Sequence, residues 1–217
     1  SNTQTAPFTV STDKANTRLR GRVVNGENNN PLSGIVVKLD TAAVTTGTDG
    51  LYDLPAQPGR RIFSVDGRNV GFALIVSHRD ILSGINQESD FFLPTAPIEE
   101  KGTPASQTQK MILTNPDAPG VVLELQPASV KNLDGTQYLG KIVLLQVEMG
   151  PNITFLPKGL EPDVLILVQP GGLIFNPVGL LTAPNTVGYP EGAILDLWGH
   201  NPTTGIIEKH GKGKVVG

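Results

Sequence analysis

The sequence holds no cysteine, which excludes disulfides, thiolate metal sites and thiol nucleophiles and leaves the redox compartment open. Charge is scarce: 17% of residues are Asp, Glu, Lys or Arg, and the formal net charge is -3. A nucleic-acid binder neutralises phosphates with an excess of lysine and arginine, so no nucleic-acid partner is expected. No run approaches the ~20 apolar residues that cross a bilayer, and no apolar signal segment stands at the N-terminus. Aromatics are few, with a single Trp, three Tyr and seven Phe, so there is little material for stacking platforms. Hydrophobic residues still make up 38% of the chain, too many for disorder and too few for a membrane protein.

What the chain has in abundance is turn formers. Its 25 glycines and 18 prolines interrupt the sequence so often that long helices are excluded and short strands joined by turns are favoured. At 217 residues there is room for two modest domains. Residues 1 to 17 are polar and aperiodic and read as a flexible tail. Strand signals follow at Leu19 to Asn25 and at Ile35, Val37 and Leu39, which alternate with Val36, Lys38 and Asp40. Asp49-Gly50 supplies a positive-φ hairpin turn before Leu51 to Leu54, and Gln57-Pro58-Gly59 turns the chain into a strand over Arg61 to Val65. The stretch His78 to Leu82 reads as one helical turn or a loop, and Phe91 to Leu93 as a closing strand. Alternation predicts a buried set of Val23, Ile35, Val37, Leu39, Leu54, Ile62 and Val65. Residues 95 to 109, with Pro97 and Pro104 among polar residues, read as a linker. Beyond it, strand composition recurs at Gly120 to Gln126, Lys141 to Glu148, Val164 to Gln169, Ala193 to Trp198 and Lys212 to Val216. The expectation is an all-β chain with two β-sandwich-type domains, at 18–94 and 110–217.

The order Leu19-Arg20-Gly21-Arg22-Val23-Val24, Pro31-Leu32-Ser33-Gly34-Ile35-Val36-Val37, Thr48-Asp49-Gly50-Leu51-Tyr52-Asp53-Leu54 and Pro58-Gly59 resembles the carboxypeptidase regulatory-like domain. That resemblance covers residues 18 to 94 and implies a seven-stranded, prealbumin-like sandwich that serves larger proteins as an accessory, non-catalytic unit. The second half is similar to a region of very large bacterial surface and Rhs-repeat-like proteins. It shares pieces such as Val168-Gln169-Pro170-Gly171-Gly172, Tyr189-Pro190-Glu191-Gly192 and His210-Gly211-Lys212-Gly213. Together they imply a segment of a longer exported protein, secreted or at the cell surface.

Chemistry-bearing residues are sparse. A catalytic Ser-His-Asp set needs an oriented base, and His78, His200 and His210 all fall in turn-rich sequence without a Gly-x-Ser-x-Gly element. No His-x-x-x-His spacing supports zinc. Asp40, Asp49 and Asp53 offer oxygen ligands to calcium but lack the dense spacing of a dedicated loop. Gly171-Gly172 reads as a turn and not a phosphate cradle, because no Gly-Lys-Ser/Thr follows. Lys38, a tempting isopeptide donor, points away from the face of Ile35, Val37 and Leu39. Asn152-Ile153-Thr154 matches a glycosylation acceptor. Glu191 and Asp196 are the carboxylates that an unrecognised enzyme site would need to gather. The average burial of Trp favours a core position for Trp198. An exposed Trp198 with His200 and Tyr189 is the ligand-contact alternative. No cofactor and no metal is expected. The reading is a non-catalytic stalk or presenter whose partners are the neighbouring domains of its full-length protein. The alternative is a module that binds carbohydrate or another ligand, with protein or glycan partners.

Overall fold

A computed structural model describes residues 17–148, 150, 153–156 and 159–217. The expected tail, except Thr17, and the Asn152 acceptor lie outside these residues. Thr17 itself belongs to the fold: it is 2% exposed, and its carbonyl accepts from the Ala56 amide at 2.9 Å.

The chain is all-β, with 46% of the described residues in strands and 4% in helix. In the first half the strands are β1 (Arg18–Asn25), β2 (Val36–Leu39), β3 (Ala42–Thr45), β4 (Leu51–Pro55), β5 (Gly59–Asp66), β6 (Leu74–Ile81), β7 (Ile85–Gln87) and β8 (Phe91–Leu93). One sheet runs β4-β1 with β7 and β8 both parallel to β1, and the other runs β3-β2-β5-β6. Because β7 and β8 occupy one line beside β1, the two sheets hold seven strand positions and form a sandwich. Period-two alternation puts Leu19 and Val23 of β1, Val37 of β2, Leu54 of β4, and Phe63 and Val65 of β5 into the space between the sheets. Burying a side chain such as Phe63 contributes about 1.5–3 kcal/mol. Gly50 supplies the expected turn with φ +71, and a Cβ there would lie 2.5 Å from the Val23 carbonyl.

Two expectations fail here. Ile62 is 41% exposed, because Phe63 and Val65 claim the inward parity of β5 and leave Ile62 on the outer face. The stretch His78 to Leu82 is neither helical turn nor simple loop, since its residues through Ile81 complete β6, which pairs with β5 from Gly59↔Ile81 to Asp66↔Leu74. Lys38 is exposed between buried Val37 and Leu39, as its parity requires.

The segment 95–109 is built into the fold. It holds α1 (Ile98–Lys101) and β9 (Thr103–Pro104), and β9 pairs with β13 (Lys141–Val147) through Lys141↔Pro104 and Ile142↔Thr103. The remaining strands are β10 (Met111–Thr114), β11 (Val122–Leu125), β12 (Val130–Lys131), β14 (Leu165–Gln169), β15 (Ile174–Phe175), β16 (Leu180–Thr182), β17 (Ile194–His200) and β18 (Ile207–Lys214). They form the sheets β10-β11-β16, β12-β15, β14-β13-β9 and β17-β18.

The β13-β14 ribbon joins the two halves. Leu145 and Leu167, paired across it, pack with Leu165 against the first core, where Phe155 is also buried. Leu144 and Val168, paired on the opposite face, pack with Ile142 and Ile166 into a second core around Leu113, Leu123 and Leu125. A ribbon covered on both faces reads as a continuous apolar run, and Ile142-Val143-Leu144-Leu145 is one.

Candidate functional site

The C-terminal hairpin is a long ribbon that is mostly exposed on both faces. Among the described residues β17 pairs only with β18, so the two make a two-stranded sheet with most side chains in solvent. Such a ribbon is marginal alone and needs anchoring. Its tip supplies the anchor. Asn201 Oδ1 accepts from the amides of Thr203 at 3.0 Å and Thr204 at 3.2 Å, and the Gly205 amide donates to the Asn201 carbonyl at 2.9 Å. This turn presses Gly205, at φ +70, against β6, where a Cβ would lie 2.2 Å from the Ser77 carbonyl oxygen. His78 Nδ1 stands 3.2 Å from the Gly205 carbonyl. A void of ≈ 40 Å³, about the space of one water, remains between Arg79, Phe155, Gly205 and Ile207.

A register shift between Leu197 and Trp198 sets what the hairpin displays. On either side of it, Asp196 faces Lys212 and Trp198 faces Lys209. Directly opposite residues share a face. Lys209 Nζ also reaches Asp196 Oδ1 at 2.6 Å, so Asp196, Trp198, Lys209 and Lys212 occupy one side. Trp198 is 50% exposed there, which overturns its expected core position: among the described residues no second sheet covers this face. His210 lies on the other side, over Gly199, where a Cβ would meet its Cδ2 at 2.2 Å.

The histidines are likewise in strands and not in turns: His78 in β6, His200 in β17 and His210 in β18. Surrounding protein pushes the His200 pKa below its ordinary value, an interaction with the Gly205 backbone opposes this, and the neighbouring His78 adds to it. His200 shares its strand with Trp198. Tyr189 stands in the loop between β16 and β17. Asn185 Oδ1 accepts from its amide at 2.9 Å, and its hydroxyl donates to Asp163 Oδ2 at 2.9 Å, a bond that raises its pKa.

The aspartates considered for calcium serve separate local contacts. Asp49 accepts from the Leu51 amide at 3.1 Å, Asp40 from the Ile62 amide at 3.0 Å, and Asp53 binds Arg18 at 2.5 Å and Arg20 at 3.0 Å. Among the described residues no group of three or more His, Asp or Glu is placed to hold a metal ion. Gly171 lies against β6, where a Cβ would come 2.7 Å from the Leu74 carbonyl oxygen.

A second concavity, an open groove of ≈ 420 Å³, is lined by Arg20, Gly21, Leu51, Tyr52, Asp53 and Gln87 of one sheet and by Val44 of β3 in the other. Tyr52 in its wall is 3% exposed, its hydroxyl has no partner among the described residues, and its pKa is raised chiefly by burial and then by Glu88. Gly21 makes room for that ring, since a Cβ there would be 2.4 Å from the Tyr52 hydroxyl.

The sequence reading missed Lys209 and Lys212 as neighbours of Trp198, because the bulge that aligns them leaves no signature in composition. No family model matches the chain, and no curated protein matches it. Among solved structures, it is similar to a DUF3823 family protein from Parabacteroides merdae, at 12% identity over 70% of this chain and 79% of the other, with a TM-score of 0.28. It is also similar to a "putative carbohydrate binding protein" from Bacteroides uniformis, at 13% identity over 92% of this chain and 96% of the other, with a TM-score of 0.27. Likenesses this slight carry nothing about the ligand of this chain.

Proposed function

We propose that the chain is a non-catalytic interaction module of a large secreted or cell-surface protein, in which a fused β scaffold presents the Trp198 face of the C-terminal hairpin. The observation that carries the proposal is the exposed indole of Trp198 beside the Asp196–Lys209 ion pair. A large apolar ring flanked by fixed polar groups is the composition of a recognition surface. The scaffold suits presentation, because the β13-β14 ribbon is packed into both cores and leaves little freedom between them. In this proposal residues 18–94 are a carboxypeptidase regulatory-like sandwich and 110–217 a second β domain. Other domains of the full-length protein are the partners.

Carbohydrate binding is the narrower second reading, favoured by the same indole and its polar frame. Because Trp198 is the single Trp of the chain, its emission reports on this surface alone. A glycan array read together with Trp198 fluorescence separates the readings. Retention of a glycan that shifts the emission and is lost in Trp198→Ala supports the carbohydrate module. A protein partner that shifts the emission supports the presenter. A ligand that binds without changing the emission places the functional surface elsewhere and overturns both.

A further inference from the structure

We propose that the Trp198 face takes an anionic polysaccharide, one whose sugar rings carry carboxylates. This rests on the reading of that face as the ligand surface and adds the charge of the ligand. The hairpin carries Lys209, Lys212 and Lys214 against Asp196 and Glu208, a positive excess in a chain whose net charge is -3.

The cations are arranged along the face of the indole. Trp198 stands opposite Lys209, Asp196 opposite Lys212 and Ile194 opposite Lys214, so the ring is followed along β18 by two further ammonium groups. Lys212 and Lys214, two residues apart on one strand, lie ~7 Å apart on the same side. Lys209 is held by Asp196 at 2.6 Å, whereas Lys212 and Lys214 make no ion pair among the described residues and are exposed.

A polyuronate matches this pattern. The C–H face of one sugar stacks on the indole, the Asp196–Lys209 pair meets its hydroxyls, and carboxylates of following sugars meet Lys212 and Lys214. A neutral glycan leaves both lysines unused. A nucleic acid offers stacking and charge as well, but its affinity depends on neutralising several phosphates at once, and two free lysines on an acidic chain supply few such contacts.

The test is affinity electrophoresis of the whole chain through gels containing polygalacturonate, a neutral glucan or single-stranded DNA. Polygalacturonate should retard the protein most, with the effect falling as salt is raised. Replacing both Lys212→Gln and Lys214→Gln should weaken it about five- to twentyfold, as expected for two exposed charge contacts. Trp198→Ala should also weaken it. All three side chains are exposed, so unchanged melting of the variants confirms that the fold is intact. Equal retardation by the neutral glucan, abolished by Trp198→Ala but not by the lysine changes, overturns the anionic ligand and leaves the Trp198 surface standing. Stronger retardation by DNA overturns the polysaccharide assignment. Retardation by none of the three overturns the inference outright.

Discussion

Gln169 holds the two halves together by a side chain acting as backbone, and its removal has a calculable cost. It is 2% exposed at the end of β14. Its Oε1 accepts from the Leu74 amide at 3.0 Å and the Gly171 amide at 2.8 Å, and its Nε2 donates to the Leu74 carbonyl at 3.2 Å. The amide thus closes the free edge of β6 as a neighbouring strand would. Gln169→Ala removes all three bonds at a net ~1 kcal/mol each, so the loss should be about 3 kcal/mol. For a chain of this length that lowers Tm by about 6–12 °C. Gln169→Glu is the sharper perturbation: the carboxyl can accept from both amides, but it can donate to the Leu74 carbonyl only when protonated. Burial and that carbonyl raise its folded pKa above its unfolded value. Its stability contribution is therefore complete below the unfolded pKa and lost as pH rises through the folded one. Urea denaturation followed by circular dichroism, at acidic and neutral pH, gives the comparison. If Gln169→Ala costs under about 1 kcal/mol, or Gln169→Glu gains stability as pH rises, the edge-closing role is refuted.

Gly205→Ala should release the hairpin tip from β6, because both φ +70 and the 2.2 Å approach to the Ser77 carbonyl exclude a side chain; hydrogen exchange should then quicken in β17 and β18 while β5 stays protected. Tyr52→Phe should leave stability unchanged or raise it by about 1 kcal/mol in denaturant titration, since the buried hydroxyl has no partner to lose. A clear loss would show that a partner exists. His200, with its folded pKa depressed, contributes stability that is complete above its unfolded pKa of 6.5 and declines as pH falls below that value, so melting of wild type but not of His200→Gln should show this added loss below neutrality. Limited proteolysis should spare 98–104, whose backbone is tied into α1 and β9, and rapid cleavage there would restore the free linker that the sequence suggests.

Local chemistry already decided much of this protein. Scarce charge, no cysteine and frequent Gly and Pro led to an all-β chain, and alternation in β1, β2 and β4 marked Val23, Val37, Leu39 and Leu54 as buried. These are properties of a few adjacent residues, so they survive translation into structure. Parity also identified Lys38 as outward, and the same rule applied strictly would have separated Ile62 from Val65.

What tertiary structure alone decided depends on contacts between residues far apart in sequence. Whether His78 lies in a loop or a strand is settled by pairing with β5, and whether 95–109 is free or fixed is settled by pairing with β13, roughly 40 residues later. The fate of Trp198 turned on whether another sheet would cover its hairpin, and none does among the described residues. The face that results, with Trp198 opposite Lys209 and on the same side as Asp196, exists because one bulge shifts the register between two strands. A one-residue slip changes which side chains share a face, and the balance that sets it comes from packing across the strands, which no window of sequence contains.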